Sequence, residues 1–478
     1  MSNIKFGTGG WRAVIGDGFT KANVQLLTAA LARKLRDEGG GDRGFLVGYD
    51  RRFLSREAAH WAAEIMAGAG IACMVVEREA PTPLLMFSVR YYDLPYGMAV
   101  TASHNPALYN GIKVFVRGGR DADQEVTGSI EKYIAALEGE EIPTVPYEEG
   151  LRTGQIQIID PMNQYIDAII RAVNMDAIRS RGLKVVLDPM YGVSKTALQT
   201  ILITARCDVD VIHERRDALF GGRLPAPNSK TLIGLRSFVE ENGCDIGIAT
   251  DGDADRLGVI DDRGEFLHPN KILSLLYYYL LRYKGWHGAA VRNIATTHLL
   301  DAIAGEFGET CWEVPVGFKH ISGKMLETGA VIGGESSGGL TVRGHIQGKD
   351  GIYAAALLVE MMATTGRRLS EIYREIEDRY GTFEMVERGY RFSQEEKARI
   401  SRTLMEDKLL PDFGLAVERV SYADGCKVYF QGGGWVVSRF SGTEPLLRVF
   451  CEMDSQARAA QAAAVMEQFL GLEGRESE

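Results

Sequence analysis

The sequence predicts an α/β protein of several units with mixed, mostly parallel sheets, closed by a smaller α+β unit. Short β-type runs alternate with helical patterns through the first three quarters, and the last quarter switches to hairpin-linked strands. At 478 residues the chain exceeds one ordinary core and matches three or four domains of usual size. Its apolar fraction of 45% is enough to bury each of them.

In chain order, Val24, Leu27, Leu31 and Leu35 fall on one helical stripe, followed by a glycine-rich break and a strand at Phe45-Leu46-Val47-Gly48-Tyr49. Ser55 is expected to cap the next helix, which runs out near Gly68 and Gly70. A second pattern opens with the strand Lys184 to Asp188 and continues with a helix from Leu232 to Glu241 that ends at Asn242-Gly243. The strand Ile246 to Ala249 follows. A third holds a helix around Leu273 to Leu281 and the run Val331-Ile332-Gly333-Gly334. Val428 to Phe430, Trp435 to Arg439 and Leu446 to Met453 read as antiparallel strands, the first two joined by Gln431-Gly432-Gly433-Gly434. A last helix is expected near Gln456 to Leu470. Acidic and polar interruptions such as Glu138 to Glu141 set the expected units at 1–150, 151–262, 263–380 and 381–478.

Polar loops directly follow β-type runs at Thr101 to Pro106, Asp251 to Arg256 and Glu335 to Gly339. Ligands of open α/β sheets bind outside the carboxyl ends of strands, so the three loops can converge on one cleft. A net charge of −10 and a pI near 5.5 argue against a nucleic-acid binder, so any anionic substrate needs a local cluster. The longest apolar run, Ile272 to Leu281, is short of a membrane span, and Met1 to Lys5 has no signal-peptide pattern. Six scattered cysteines, at 73, 207, 244, 311, 426 and 451, form no C-x-x-C pair and read as cytosolic thiols, which sets the expected location as cytoplasmic.

Asp251, Asp253 and Asp255 alternate along the backbone and can point one way. Three crowded carboxylates need a cation or raised pKa values, and hard oxygen ligands suit Mg²⁺ over Zn²⁺. An EF-hand would place Gly sixth and Glu twelfth, where this chain has Arg256 and Asp262, so that reading fails. In Thr101-Ala102-Ser103-His104-Asn105-Pro106, Ala102 leaves room, His104 supplies a donor or proton carrier, and Asn105-Pro106 turns the chain so the Ser103 hydroxyl projects. A phosphoserine there would carry about −1.5 to −2 charges and, beside three aspartates, would require the metal. Together the two loops point to metal-assisted phosphoryl transfer through Ser103.

Arg439-Phe440-Ser441-Gly442-Thr443-Glu444-Pro445 combines a guanidinium fork, two hydroxyls and a glycine N–H, a phosphate cradle with no reactive group. Glu335-Ser336-Ser337-Gly338 offers a carboxylate and hydroxyls suited to sugar recognition. Ser336 also sits in a G-x-S-x-G pattern, but the extended look of Leu340 to Gly344 denies it the helix an esterase elbow requires.

With these segments and Phe6-Gly7-Thr8-Gly9-Gly10-Trp11-Arg12, the chain closely resembles the α-D-phosphohexomutases, the phosphoglucomutase and phosphomannomutase superfamily, over nearly its whole length. The resemblance implies three related α/β domains and a smaller carboxy-terminal domain around a central cleft. It implies Ser103 as the phosphorylated residue, with Asp251, Asp253 and Asp255 joining its phosphate on Mg²⁺ and Arg256 closing the metal loop. Arg12 and Lys113 match positions for proton transfer or charge stabilisation. Of the two, Lys113 is the expected base, since neighbours can lower a lysine pKa; simple phosphate pairing by both stays open. Gly317 and Lys319, in Pro315 to Lys319, and Glu335 with Ser337 would hold the sugar. Arg439, Ser441, Gly442 and Thr443 would seat the phosphate that does not react.

The implied partners are small sugar phosphates, with hexose 1,6-bisphosphate as intermediate and activator, no nucleic acid or membrane, and a monomer or homodimer. Glucose is favoured over mannose and glucosamine. Some mannose and glucosamine enzymes of the family carry histidine where Gly339 stands, and Ala254 stands where glycine is frequent. The rival readings are an aspartyl phosphatase using Asp251, an ester hydrolase using Ser336, and a sugar-phosphate sensor without turnover.

Overall fold

A computed structural model describes residues 4–7, 9–441 and 446–472. The first three units repeat one sheet plan. In the first, the parallel strands Tyr96–Val100, Phe45–Tyr49, Cys73–Val76 and Ile156–Ile159 lie side by side. Tyr109–Val116 and then Trp11–Val14 extend the Tyr96–Val100 edge antiparallel. In the second, Ile246–Thr250, Lys184–Asp188 and Asp208–Val211 are parallel, and Leu257–Ile260 and Phe266–Leu267 add antiparallel edges. In the third, Ile332–Gly334, Ala290–Asn293 and Cys311–Val314 are parallel, and Leu340–Val342 returns antiparallel.

The three polar loops occupy one topological position, the hairpin that leaves the last parallel strand and returns along the edge. This follows from the sequence: each loop lies between two short apolar runs too close together for a crossover helix. Glu384–Arg391, Leu446–Met453, Trp435–Phe440, Cys426–Phe430 and Val417–Ser421 form the fully antiparallel sheet of the tail unit. Helix Gln456–Leu470 covers it through Ala459, Ala463 and Met466.

Two expected boundaries fall short. The first sheet includes Ile156–Ile159, past residue 150, and the second includes Phe266–Leu267, past 262, because backbone pairing continues beyond the polar breaks. The expected cap at Ser55 is also corrected. Helix Ser55–Gly68 starts at Ser55 itself after Leu54 at φ 62°, and the Ser55 hydroxyl donates 2.8 Å to Asp50 and accepts from Asn110 Nδ2 rather than capping a helix N–H.

Helix Lys21–Asp37 starts where Thr20 accepts from Asn23 N–H, and it buries Val24, Leu27, Leu31 and Leu35 against the first sheet. Helix Gly351–Thr365 is capped by Asp350 and is apolar almost all round. It is sandwiched between the second unit's helix Lys195–Thr204 and the third unit's Pro269–Arg282 within one continuous core. Among the described residues, no helix is long and apolar enough to cross a membrane.

Candidate active site

Ser103 lies in the hairpin after Tyr96–Val100 in the left-handed region, φ 53°, with its N–H held 2.9 Å from Thr101 Oγ1. That backbone aims the hydroxyl at the second unit, where it donates 2.7 Å to Asp251 Oδ2. His104 Nδ1 lies 3.3 Å from Ser103 Oγ. Burial, then the charges of Arg256 and Arg12, hold the His104 imidazole well below its usual range, so it is neutral near pH 7.

The loop after Ile246–Thr250 brings one oxygen of each of Asp251, Asp253 and Asp255 within 4.8 Å of one another, all fully buried. Asp251 Oδ1 accepts from the N–H groups of Asp255 and Arg256 at 3.1 and 3.0 Å, which closes the loop on itself. Asp253 Oδ2 accepts from Thr82 Oγ1 and Lys113 Nζ, each at 2.6 Å. Asp255 Oδ2 accepts from Lys113 Nζ at 2.6 Å and pairs with Lys349 Nζ at 2.8 Å. Burial and then the charges of Asp253 and Asp255 push Asp251 well up. Burial also opposes charge on Asp255, but Lys113 and Lys349 overcome it and hold that carboxyl well below its usual range.

Asp253 Oδ1 and Asp255 Oδ1 are buried with no partner. Orphaned carboxylate oxygens are costly in a protein interior, and hard oxygens beside a third carboxylate are the donor set that Mg²⁺ takes. The residues present therefore fit the ion.

The reason for choosing Lys113 as base does not hold. Burial alone would lower its pKa, but Asp253 and Asp255 outweigh burial and raise it, so Lys113 stands as an ammonium. Arg12 donates 2.5 Å to Asn105 Oδ1; burial first and Arg256 second lower its pKa.

Backbone contacts tie the remaining loops to this centre. Arg256 bridges Gly339, and Leu257 N–H donates 3.0 Å to Gly338 O, which joins the metal loop to the sugar loop. Arg256 Nε is buried and unpartnered. Glu335 Oε1 accepts from Asn293 Nδ2 and Gly317 N–H, both at 3.2 Å, with Gly317 at φ 125°. Ser337 is exposed at the tip of its loop. Lys319 opens helix Phe318–Thr328 and lines a small cavity with Gly9, Gly10, Lys113 and Asp121. In the tail unit, Arg439 lies 3.3 Å from Asp424, whose carboxylate accepts 2.8 Å from Val316 N–H. Ser441 N–H bonds Leu446 O at 2.7 Å. Gly442 and Thr443 lie outside the described residues.

One path of contacts thus runs from Ser103 through Asp251, Arg256 and Glu335 to Asp424 and Arg439. Strand Leu340–Val342 follows Ser336, so the esterase elbow is not formed. Sequence reasoning missed Lys349 and Thr82, whose roles arise only where units meet. Asp350, the helix cap directly after Lys349, was the one local signal.

The sequence matches the signatures described as Phosphoglucomutase/phosphomannomutase, alpha/beta/alpha domain I over residues 3–141, domain II over 163–264 and domain III over 268–380. It also matches that family's C-terminal domain over 393–468. It is 30% identical to a phosphoglucomutase/phosphomannomutase of Thermococcus kodakarensis over 457 residues, 95% of this chain and 96% of that protein. It is likewise 30% identical to a phosphoglucosamine mutase of Acetivibrio thermocellus over 474 residues, 98% and 99% of the two chains. A crystal structure from Thermus thermophilus, provisionally described as a phosphomannomutase, superposes with TM-score 0.85 at 31% identity. It covers 98% of this chain and 100% of that one.

Proposed function

The chain belongs to the phosphoglucomutase/phosphomannomutase family of phosphohexomutases, and from that premise we propose that it interconverts glucose 1-phosphate and glucose 6-phosphate through a phosphoserine at Ser103. The observation that carries this reading is the Ser103 hydroxyl 2.7 Å from Asp251 in a buried triad of carboxylates. No second reading gains from the geometry. Asp251 is committed to shaping the site: Oδ1 accepts from two N–H groups of its own loop, and Oδ2 accepts from the Ser103 hydroxyl.

In the proposed reaction the sugar 1-phosphate seats its phosphate at Arg439 and Ser441, and Glu335 accepts from sugar hydroxyls. The 6-hydroxyl oxygen bonds to the phosphorus on Ser103 as the bond from phosphorus to Oγ breaks, and the electron pair returns to Oγ. The hydroxyl proton passes to neutral His104, the uncharged base beside the ester oxygen, which hands it to the departing Oγ and so restores the Ser103 hydroxyl and the neutral imidazole. Lys113, Arg12 and Arg256 offset charge on the transferring group. Mg²⁺ held by Asp251, Asp253, Asp255 and the phosphoserine would supply further neutralisation of the phosphoryl oxygens. Hexose 1,6-bisphosphate then turns over, and the phosphoryl group from position 1 returns to Ser103 by the reverse steps. Gly339, rather than histidine, and the Pro315 to Lys319 loop support glucose; related proteins carry both glucose/mannose and glucosamine names.

Incubation with glucose 1,6-bisphosphate should place phosphate on the Ser103 peptide by mass spectrometry. Ser103→Ala should lower turnover at least about 10³-fold while binding glucose 1-phosphate within a few-fold of wild type. Near-normal turnover by Ser103→Ala would sink the proposal. Initial rates on glucose, mannose and glucosamine 1-phosphates test the sugar preference.

A further inference from the structure

We propose that Arg52 is a positioning residue for phosphoryl transfer: its guanidinium gathers four main-chain carbonyls of the Ser103 hairpin and so holds Ser103 in the conformation that aims its oxygen at Asp251. This inference rests on the phosphoserine reading above and extends it to a residue that touches neither substrate nor metal.

The side chain of Arg52, just after strand Phe45–Tyr49, is fully buried. Nη2 donates to Ser103 O and Asn105 O, both at 2.6 Å; Nη1 donates to Pro106 O at 2.9 Å and Tyr109 O at 3.0 Å. Four carbonyl dipoles converging on one point repel one another unless a multiple donor sits there. Only a guanidinium offers enough N–H groups in a fixed plane; an ammonium has three protons on one atom and cannot reach both ends of the hairpin.

The amide side of the same loop is held separately. Asp50 accepts from Thr101 Oγ1 at 2.6 Å and from Arg52 N–H at 2.9 Å, and Thr101 Oγ1 accepts from Ser103 N–H. Ser103 is thereby fixed on both its N–H and its C=O. A serine at φ 53° is strained, and such a residue persists where its surroundings over-determine it. Phe220, from the second unit, lies over the guanidinium at 4.8 Å and closes its remaining face.

Two consequences separate positioning from mere support of the fold. Arg52 acts on the rate at which phosphate leaves Ser103, not on substrate affinity, because the incoming phosphate seats near Arg439. Its four guanidinium hydrogen bonds go to main-chain carbonyls and none to the sugar, so its loss should lower turnover by one common factor on every hexose phosphate accepted.

The test uses full-length wild type, Arg52→Lys and Phe220→Leu. Each is phosphorylated with labelled glucose 1,6-bisphosphate, mixed with glucose 1-phosphate and quenched rapidly, and the transfer rate is expressed per phosphorylated Ser103. Arg52→Lys should slow transfer about 10²-fold with KM within threefold, since a displacement of about 1 Å costs that much in a positioned reaction. A per-site rate within threefold of wild type, or a loss confined to KM, overturns the inference. Should Arg52→Lys fail to fold, Phe220→Leu decides. It leaves the guanidinium present but uncovered, and should lower the transfer rate three- to tenfold without moving KM; an unchanged rate overturns the inference. Absence of label on wild-type Ser103 would instead overturn the phosphoserine reading itself.

Discussion

Acid should loosen the tail unit from the third unit, and His298 should carry that effect between pH 7 and 5. Its ring lies 5.7 Å from Trp435 and 5.8 Å from Tyr429, its Nε2 lies 3.2 Å from Lys427 Nζ, and its backbone N–H donates 2.8 Å to Glu452. Burial and then the charge of Arg292 push the imidazole from 6.5 down to about 4; Lys427 acts the same way, and Glu313 and Asp301 oppose. Between those two values the unfolded chain binds more protons than the folded one, so stability falls as the pH drops below 6.5 and levels off below about 4. The full gap is worth about 3 kcal/mol, of which about 2 kcal/mol is lost between pH 7 and pH 5. Lys427, pushed down to about 7 by burial and Arg292, changes stability only above that window. His298→Gln removes the titration and keeps an acceptor for Lys427. Both proteins are equilibrated in urea at pH 7 and pH 5 and pulsed with deuterium at one common pH, and exchange is read in peptides spanning 426–440. The wild-type segment should lose about 2 kcal/mol more than the variant on acidification. Equal losses would show that His298 is not what acid titrates at this interface.

Gly339→Ala tests Lys349, since a Cβ at 339 would stand 2.3 Å from Lys349 Cδ and push the amine from Asp255. Turnover should fall about tenfold with the melting temperature within a few degrees, and unchanged kcat would exclude Lys349 from the reaction. Mg²⁺ at a hundredfold its dissociation constant should stabilise the wild type by about 2.7 kcal/mol, and chelation should abolish turnover. Asp251→Asn should erase the Mg²⁺-dependent rise in melting temperature, and a persisting rise would place the ion elsewhere. Ala254, fully buried at φ 63°, should tolerate glycine at a cost below about 1 kcal/mol, because relief of backbone strain offsets the lost methyl. Ala355→Gly, in a regular helix, should cost about 2 kcal/mol, and equal melting shifts for the two would refute the strain argument.

What could be read from the sequence was whatever is encoded within a few residues. Asp251, Asp253 and Asp255 supply a donor set by spacing alone, and Ser103 gains meaning from Ala102, His104 and Asn105 on either side. Ser55 misled because a serine before a helical run usually caps it, whereas here a left-handed Leu54 starts the helix and the hydroxyl serves Asp50. The break at 150 misled because a polar stretch says nothing about whether the next strand pairs backwards, as Ile156–Ile159 does with Cys73–Val76.

The charge state of Lys113 was beyond any local signal, since it depends on two carboxylates about 140 positions away. Arg52 and Lys349 share that property: each is one basic residue among 54 until the chain folds, Arg52 onto the Ser103 hairpin about 50 positions on and Lys349 onto Asp255 of another unit. The repeated hairpin explains why. Placing Ser103, the aspartates and Glu335 at one topological position in three units leaves each loop polar, short and recognisable in isolation. The cations that balance the aspartates come from the two neighbouring units: Lys349 of the third against Asp255, and Lys113 of the first against both Asp253 and Asp255. A fold that divides its anionic groups among repeats has to supply their counter-charges across the joints between them, where sequence spacing carries no trace of the pairing.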